Sequence, residues 1–396
     1  MTCLPHVLLV TVALAGMACS ATAADSAAGE LVWFGTYTQG KSGSEGIYVA
    51  RFDAASGELS PPVLAAAATN PSFLAAHPAR PILYAVAEVA DEAGNPTGSV
   101  TSFAIDEETG SLTSLGSQPS GGGGPCHVVV DPSGRAVLAA NYGGGSVICL
   151  GINTDGGPRP VVDETPGGFV QHGFDRAGVT GINPRRQEKP HAHSIEVSPD
   201  GRFALCCDLG LDQVLVYRLD AAAATLTPHA AATVAAGAGP RHLAMHPKGG
   251  FAWCVNELDL TVTGFAYDAA AGTLTEIESL STLPPDVTDR TGVSTAEIAV
   301  HPSGRFLYAS NRGHDSIATY AIAEATGRLT FLGVEPTRCK TPRNFAIAPG
   351  GSHLLAAGQD SDTVTVFAID PATGKLSFTG RSVAVPAPVC VLFRRR

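Results

Sequence analysis

The sequence predicts an all-β fold, a seven-bladed β-propeller whose ring is closed by the C-terminal strand pairing with the N-terminal blade. A recurring phrase, its spacing and the complementary ends of the chain all point to this. The phrase is fullest at residues 301–311, HPSGRFLYASN, with variants at 75–88, 129–141, 196–208, 244–256 and 346–358. Its prolines, Pro78, Pro132, Pro199, Pro247, Pro302 and Pro349, are 54, 67, 48, 55 and 47 residues apart. A period of about 40–50 residues built from short apolar stretches is the signature of a propeller.

Each repeat divides into four strands. An apolar stretch such as residues 242–246 comes first and a Pro-x-Gly turn follows, Pro supplying a fixed φ and Gly a permissive one. The second strand is the FLYASN-like run. A loop of Gly, Asp and Ser leads to a third strand with period-2 alternation, as in TVTVFAID at 363–370, and a Thr-Gly-x-Leu hairpin, as at 373–376, opens the fourth. Four short strands joined by tight turns make one blade. The first two are rich in alanine, which suits the crowding near a central axis. Six repeats carry the Pro turn. Residues 31–60 (LVWFGTY, GIYVARFD, GELS) supply strands two to four of a further blade, and residues 388–393 (PVCVLF) supply its missing first strand. Closing the ring in this way removes the exposed sheet edges. No helical pattern competes.

The 396 residues are therefore expected to form one propeller domain, residues 25–396, behind a leader. Residues 1–24 hold no Asp, Glu, Lys or Arg, contain the apolar run 7–14 and end near the small-residue site 21–23. This reads as a secretory signal peptide, so export to the periplasm or medium is expected. No second hydrophobic segment of membrane-spanning length follows, so a soluble mature protein is expected. The net charge of −11, with no basic tract except residues 394–396, argues against nucleic acid as a partner. Of nine cysteines, Cys3 and Cys19 fall in the leader; the other seven have no CxxC spacing and read as buried small apolar side chains rather than a disulfide framework. No metal-binding spacing is present, and no cofactor is expected.

Antiparallel pairing brings the start of each first strand and the end of each second strand to one rim. Six residues before each proline stand Ser72, Cys126, His193, Arg241, Ala296 and Arg343, followed by Phe73, His127, Ser194, His242, Glu297 and Asn344. Nine after it stand Ala87, Asn141, Asp208, Asn256, Asn311 and Gly358, followed by Glu88, Tyr142, Leu209, Glu257, Arg312 and Gln359. The flanking strands stay alike while these places diversify into His, Arg, Glu and Asn. Converging on the channel mouth, such groups are costly unless paired or solvated, which marks a site. The recurrent Asn and Asp nine residues after the proline read as turn residues. His77, His246 and His301, before the Pro turn, read as structural residues of the opposite rim. Two insertions, 155–190 and 284–295, are expected to join strand four of one blade to strand one of the next and so to lie over the site.

The motifs FGTYT (34–38), HAHS (191–194), GPRH (239–242), NE (256–257), SNRGHDSI (310–317) and TPRNF (341–345) resemble the seven-bladed propeller lactonase family over residues 31–393. The family includes the bacterial propeller-type 6-phosphogluconolactonase and the fungal 3-carboxy-cis,cis-muconate lactonizing enzyme. The resemblance implies a catalytic set of His193, Arg241, Glu257 and Arg312 and a small anionic lactone as substrate. His191, His242, Arg343, Glu88 and His127 are the expected substrate-binding neighbours. In hydrolysis, Glu257 or His193 would be the base for water, Arg241 would hold the oxyanion, and Arg312 and Arg343 the substrate anion. Two other readings stay open at this level: cycloisomerisation of a carboxylated muconate, and a non-catalytic exported propeller.

Overall fold

A computed structural model describes residues 1–2, 29–40, 42–90, 96–160, 167–173 and 183–394. Nearly all of the expected leader lies outside these residues. Seven antiparallel sheets form a ring. Numbered from the N-terminus, their first strands are Pro388–Phe393, Leu74–Ala76, Pro125–Val130, Ala192–Val197, Pro240–Met245, Ser294–Val300 and Pro342–Ile347. The closure expected from the two ends is present: Pro388–Phe393 pairs with Glu30–Thr36, with Val32 opposite Phe393 and Phe34 opposite Val391.

The core lies between blades. Each hydrophobic cluster joins two neighbours, as where Phe34 and Phe52 of blade 1 pack with Leu355 and Val366 of blade 7. Trp253 and Val262 of blade 5 meet Leu307 and Tyr320 of blade 6 in the same way. Aromatic side chains of the second strands add directed ties to the next blade: Trp33 Nε1 donates to Gly110 O, Tyr84 Oη to Gly156 O, Trp253 Nε1 to Gly327 O and Tyr308 Oη to Gly374 O. The seven cysteines from Cys126 onwards are buried and unpaired with one another by disulfides.

The histidines of the opposite rim are structural for a specific reason. His301 Nδ1 accepts from the Ser303 amide at 3.1 Å within its own turn, and Nε2 donates to Gly351 O of the next blade at 2.8 Å. His77 and His246 reach Gly134 O and Gly304 O likewise. Gly351 has φ +76°, and a Cβ there would come within 2.7 Å of the His301 ring, so the glycine of the phrase serves both its own turn and the preceding histidine. His301→Ala is expected to cost about 1–3 kcal/mol, because it leaves buried donor and acceptor groups unmatched; denaturant unfolding checks this.

Two expectations need correction. The fourth strand of blade 1 is interrupted, with Glu58–Leu59 and Val63–Ala67 both pairing with Gly46–Asp53. The insertion 155–190 is not a single connection over one face. It contains the fourth strand of blade 3, Phe169–Gln171, which pairs with Ser146–Gly151. Among the described residues, 152–160 follow the third strand at the far rim, and residues 183–191 are the ones that reach the site. A three-residue strand with no Thr-Gly-x-Leu hairpin before it carries too little pattern to be seen in the sequence. The second insertion does join strand four of blade 5 to strand one of blade 6, between Thr273–Ser281 and Ser294–Val300.

Candidate active site

The mouth of the channel is built by a repeated β-bulge. In blade 5, Pro240 pairs with Asn256 and His242 with Val255, so Arg241 is the extra residue. The same slip leaves out Cys126, His193, Arg343 and Val389 in four other blades, and in blade 6 it sets Ala296 and Glu297 against Ser310. An ordinary strand sends consecutive side chains to opposite faces. A bulge re-aims one, so two neighbours such as Arg241 and His242 both serve the axis.

Glu257 is the hub. It follows the second strand of blade 5, its amide donating to Gly239 O at 2.7 Å. Its Oε2 lies 3.1 Å from Arg241 Nε, 3.2 Å from Arg312 Nη2 and 3.7 Å from His193 Nε2, and its Oε1 lies 2.6 Å from Arg186 Nη2. Burial pushes this carboxyl up, but Arg312, Arg241 and Arg186 outweigh it and hold the pKa at about 2. Glu257 is therefore a fixed anion. His193 is the opposite case: burial, then Arg241, His242 and Arg343, push its imidazole well below 6.5, so it is neutral at pH 7.

A second layer supports the first. His242 Nδ1 donates to Glu297 Oε1 at 2.9 Å while its Nε2 accepts from Arg241 Nη1 at 3.1 Å, which defines the tautomer. Asn344 Nδ2 donates to the other Glu297 oxygen. Burial raises the Glu297 carboxyl to about 7 against the pull of Arg241, the Ile298 amide, His127 and Asn344. Arg241 Nη1 also donates to Ala296 O at 2.6 Å. The Arg241 guanidinium is thus held from three directions, by Glu257, His242 and Ala296 O.

The remaining expected residues take distinct places. Arg343 lies over the Tyr37 ring at 5.4 Å, and no carboxylate among the described residues is within 4.0 Å of it. Glu88 Oε2 is buried without a hydrogen-bond partner. Arg312 Nη2 also donates to Thr295 O, and its Nε is buried and unpartnered. His127 sits deeper, its ring 4.2 Å from Phe73 and 5.2 Å from His242. His191 flanks the site, with Nδ1 3.0 Å from Tyr142 O, Nε2 3.0 Å from Glu188 Oε1 and its ring stacked on Tyr142. Asn141, Asp208, Asn256 and Asn311 clip the second-to-third-strand turns, as Asn311 does through Ser316 Oγ while also donating to Thr282 O of the preceding blade. The floor between Tyr37, Ser72, Cys126, Arg241 and Arg343 has room for about one water, and a cleft of about 650 Å³ opens beside it between Tyr37, Asn70, Glu88 and Gln359.

Sequence reasoning did not select Arg186, Tyr37 or Glu297. Glu297 stood at a diversified repeat position and Tyr37 inside a family motif, so both had a signal. Arg186 had none, because the insertion that carries it breaks the repeat.

Fold and site define a closed propeller that concentrates guanidiniums, the ionised Glu257 and neutral imidazoles at one end of its channel, a setting able to bind an anion, polarise a carbonyl and accept a proton. Residues 31–393 match the family model described as Lactonase, 7-bladed beta-propeller. The chain is 37% identical to the 6-phosphogluconolactonase of Bacillus subtilis over 362 residues, 91% of this chain and 97% of that one. It is 32% identical to the 6-phosphogluconolactonase of Formosa agariphila, over 80% of this chain and 85% of that one. The structure of the periplasmic gluconolactonase PpgL of Pseudomonas aeruginosa superposes with a TM-score of 0.83 at 33% identity, covering 92% of this chain and 99% of that one. The chain belongs to the seven-bladed β-propeller lactonase family, and it is a lactone hydrolase, a carboxylic ester hydrolase.

Proposed function

We propose that this protein hydrolyses a sugar lactone, with conversion of 6-phospho-D-glucono-1,5-lactone to 6-phosphogluconate as the leading reaction, without a covalent intermediate. The observation that carries the reading is the convergence of Arg241, Arg312 and Arg186 on Glu257 beside a neutral His193. His193 takes the base role left open between it and Glu257, since a carboxylate held at about 2 is a weak proton acceptor at neutral pH. Water adds to the lactone carbonyl as His193 accepts its proton. Arg241 and Arg312 hold the oxyanion that develops. The ester C–O bond then breaks, the ring oxygen takes the proton from His193, and the released acid ionises. Glu257 holds the guanidiniums in place and stabilises the transient imidazolium.

The test is hydrolysis of 6-phosphogluconolactone and gluconolactone by residues 25–396, with the spontaneous rate subtracted. Turnover of the phosphorylated lactone above background is expected. No turnover of either lactone would remove the reading and direct the assay to carboxymuconate lactonisation or to a non-catalytic role.

The relative described as periplasmic supports export of this chain as well, with residues 1–24 as the signal peptide. Fractionation and N-terminal sequencing test this; an uncleaved cytoplasmic protein would refute it.

A further inference from the structure

We infer that Arg186 is the specificity-determining residue that selects a phosphorylated over a neutral sugar lactone. The inference rests on the lactonase reading above and concerns a residue outside the family set.

The segment that carries Arg186 is held firmly. Gln187 Nε2 donates to Leu209 O at 3.0 Å and to Asp212 Oδ1 at 2.7 Å, Lys189 Nζ donates to Gly143 O, and the His191 amide donates to Asp208 Oδ1. The Arg186 side chain reaches from this anchored strap to Glu257 Oε1 at 2.6 Å and to Tyr142 Oη at 3.0 Å. It remains 38% exposed, whereas Glu257 and Arg241 are each 3% exposed and Arg312 is 14%. Its Nη1 makes no hydrogen bond to any described residue, so one edge of this partly exposed fork keeps its donors free.

Charge gives this edge a purpose. Glu257 is already matched through Oε2 by Arg241 and Arg312, so Arg186 is the cation its neutralisation needs least. Arg343 adds a guanidinium with no carboxylate within 4.0 Å among the described residues. Among the described residues Glu257 is the one carboxylate within 4.0 Å of any of the four guanidiniums, so they carry a local surplus of positive charge in a chain whose net charge is −11. A neutral lactone leaves that surplus uncompensated. A phosphate monoester brings about −1.5 to −2 charges and three acceptor oxygens, and guanidinium recognises phosphate in a fork geometry. Because Arg186 is the outermost of the four, it meets the substituent farthest from the reacting carbonyl.

The experiment compares kcat/KM for 6-phosphogluconolactone and gluconolactone in the wild type, Arg186→Gln, Arg186→Lys and, as a control, the exposed neighbour Arg185→Gln, with calorimetric binding of 6-phosphogluconate against gluconate. The ratio of the two kcat/KM values is expected to fall about tenfold to a hundredfold in Arg186→Gln, chiefly through KM for the phosphorylated substrate, and less in Arg186→Lys. The affinity for 6-phosphogluconate should fall in parallel, and Arg185→Gln should keep the wild-type ratio. Equal losses on both lactones would mean that Arg186 acts only by positioning Glu257, and an unchanged ratio would mean that it touches neither; both overturn the inference. Wild-type hydrolysis of gluconolactone alone also overturns it while leaving a lactonase. If the wild type hydrolyses neither, the lactonase reading itself has failed.

Discussion

His193→Ala is expected to lower kcat for lactone hydrolysis by about 10²–10⁴-fold, the usual contribution of a positioned general base. The pH profile makes the test specific. Burial and the neighbouring cations push the His193 imidazole well below 6.5, so its basic form persists as the pH falls from 8 through neutrality. Wild-type kcat/KM should therefore stay level across that range and fall only well below pH 6.5, as His193 takes up a proton. The alanine variant should lack that acid limb over its residual rate. An acid limb near pH 7 that survives in the variant would instead report Glu297, whose carboxyl is raised to about 7, and would move the base role away from His193.

Glu257→Gln is expected to destabilise the protein by about 3–5 kcal/mol at pH 7, the scale for leaving buried charges without their partner. The amide keeps the size of the side chain but removes the anion on which Arg186, Arg241 and Arg312 converge. The sign follows from the depressed pKa. The folded carboxyl titrates at about 2 against an ordinary value of 4.5, so its contribution is fully present above about pH 4.5 and is lost as the pH falls towards 2. Urea unfolding at pH 7 and pH 3 should show a wild-type advantage that shrinks at the lower pH. Equal stability of the two proteins at pH 7 would sink the idea that Glu257 organises the mouth, whatever happened to turnover.

Much of the site is legible in the repeat itself. His193, Arg241 and Arg343 stand out because they occupy one position of a repeat whose neighbours barely change, and that position is the bulge residue in blades 4, 5 and 7. Arg186 is not legible. Its partner Glu257 is 71 residues away, and a loop contact over that distance leaves no periodic trace. The bulges are invisible for a related reason: alternation sends Arg241 and His242 to opposite faces, and only the slip in register brings both to the axis. The split of the 155–190 insertion is hidden because Phe169–Gln171 is recognised as a strand by its pairing, not by its composition.

The sequence by itself determined the blade count, the closure of the ring and the rim at which Arg241, Glu257, Arg312 and His193 gather, because a repeat writes the same turn and strand residues at each equivalent place. Only the tertiary structure decided that Glu257 is a fixed anion and His193 a neutral imidazole. Protonation depends on burial and on charges within a few ångströms, and those distances are set by which blades stand side by side, a relation that no local stretch of sequence encodes.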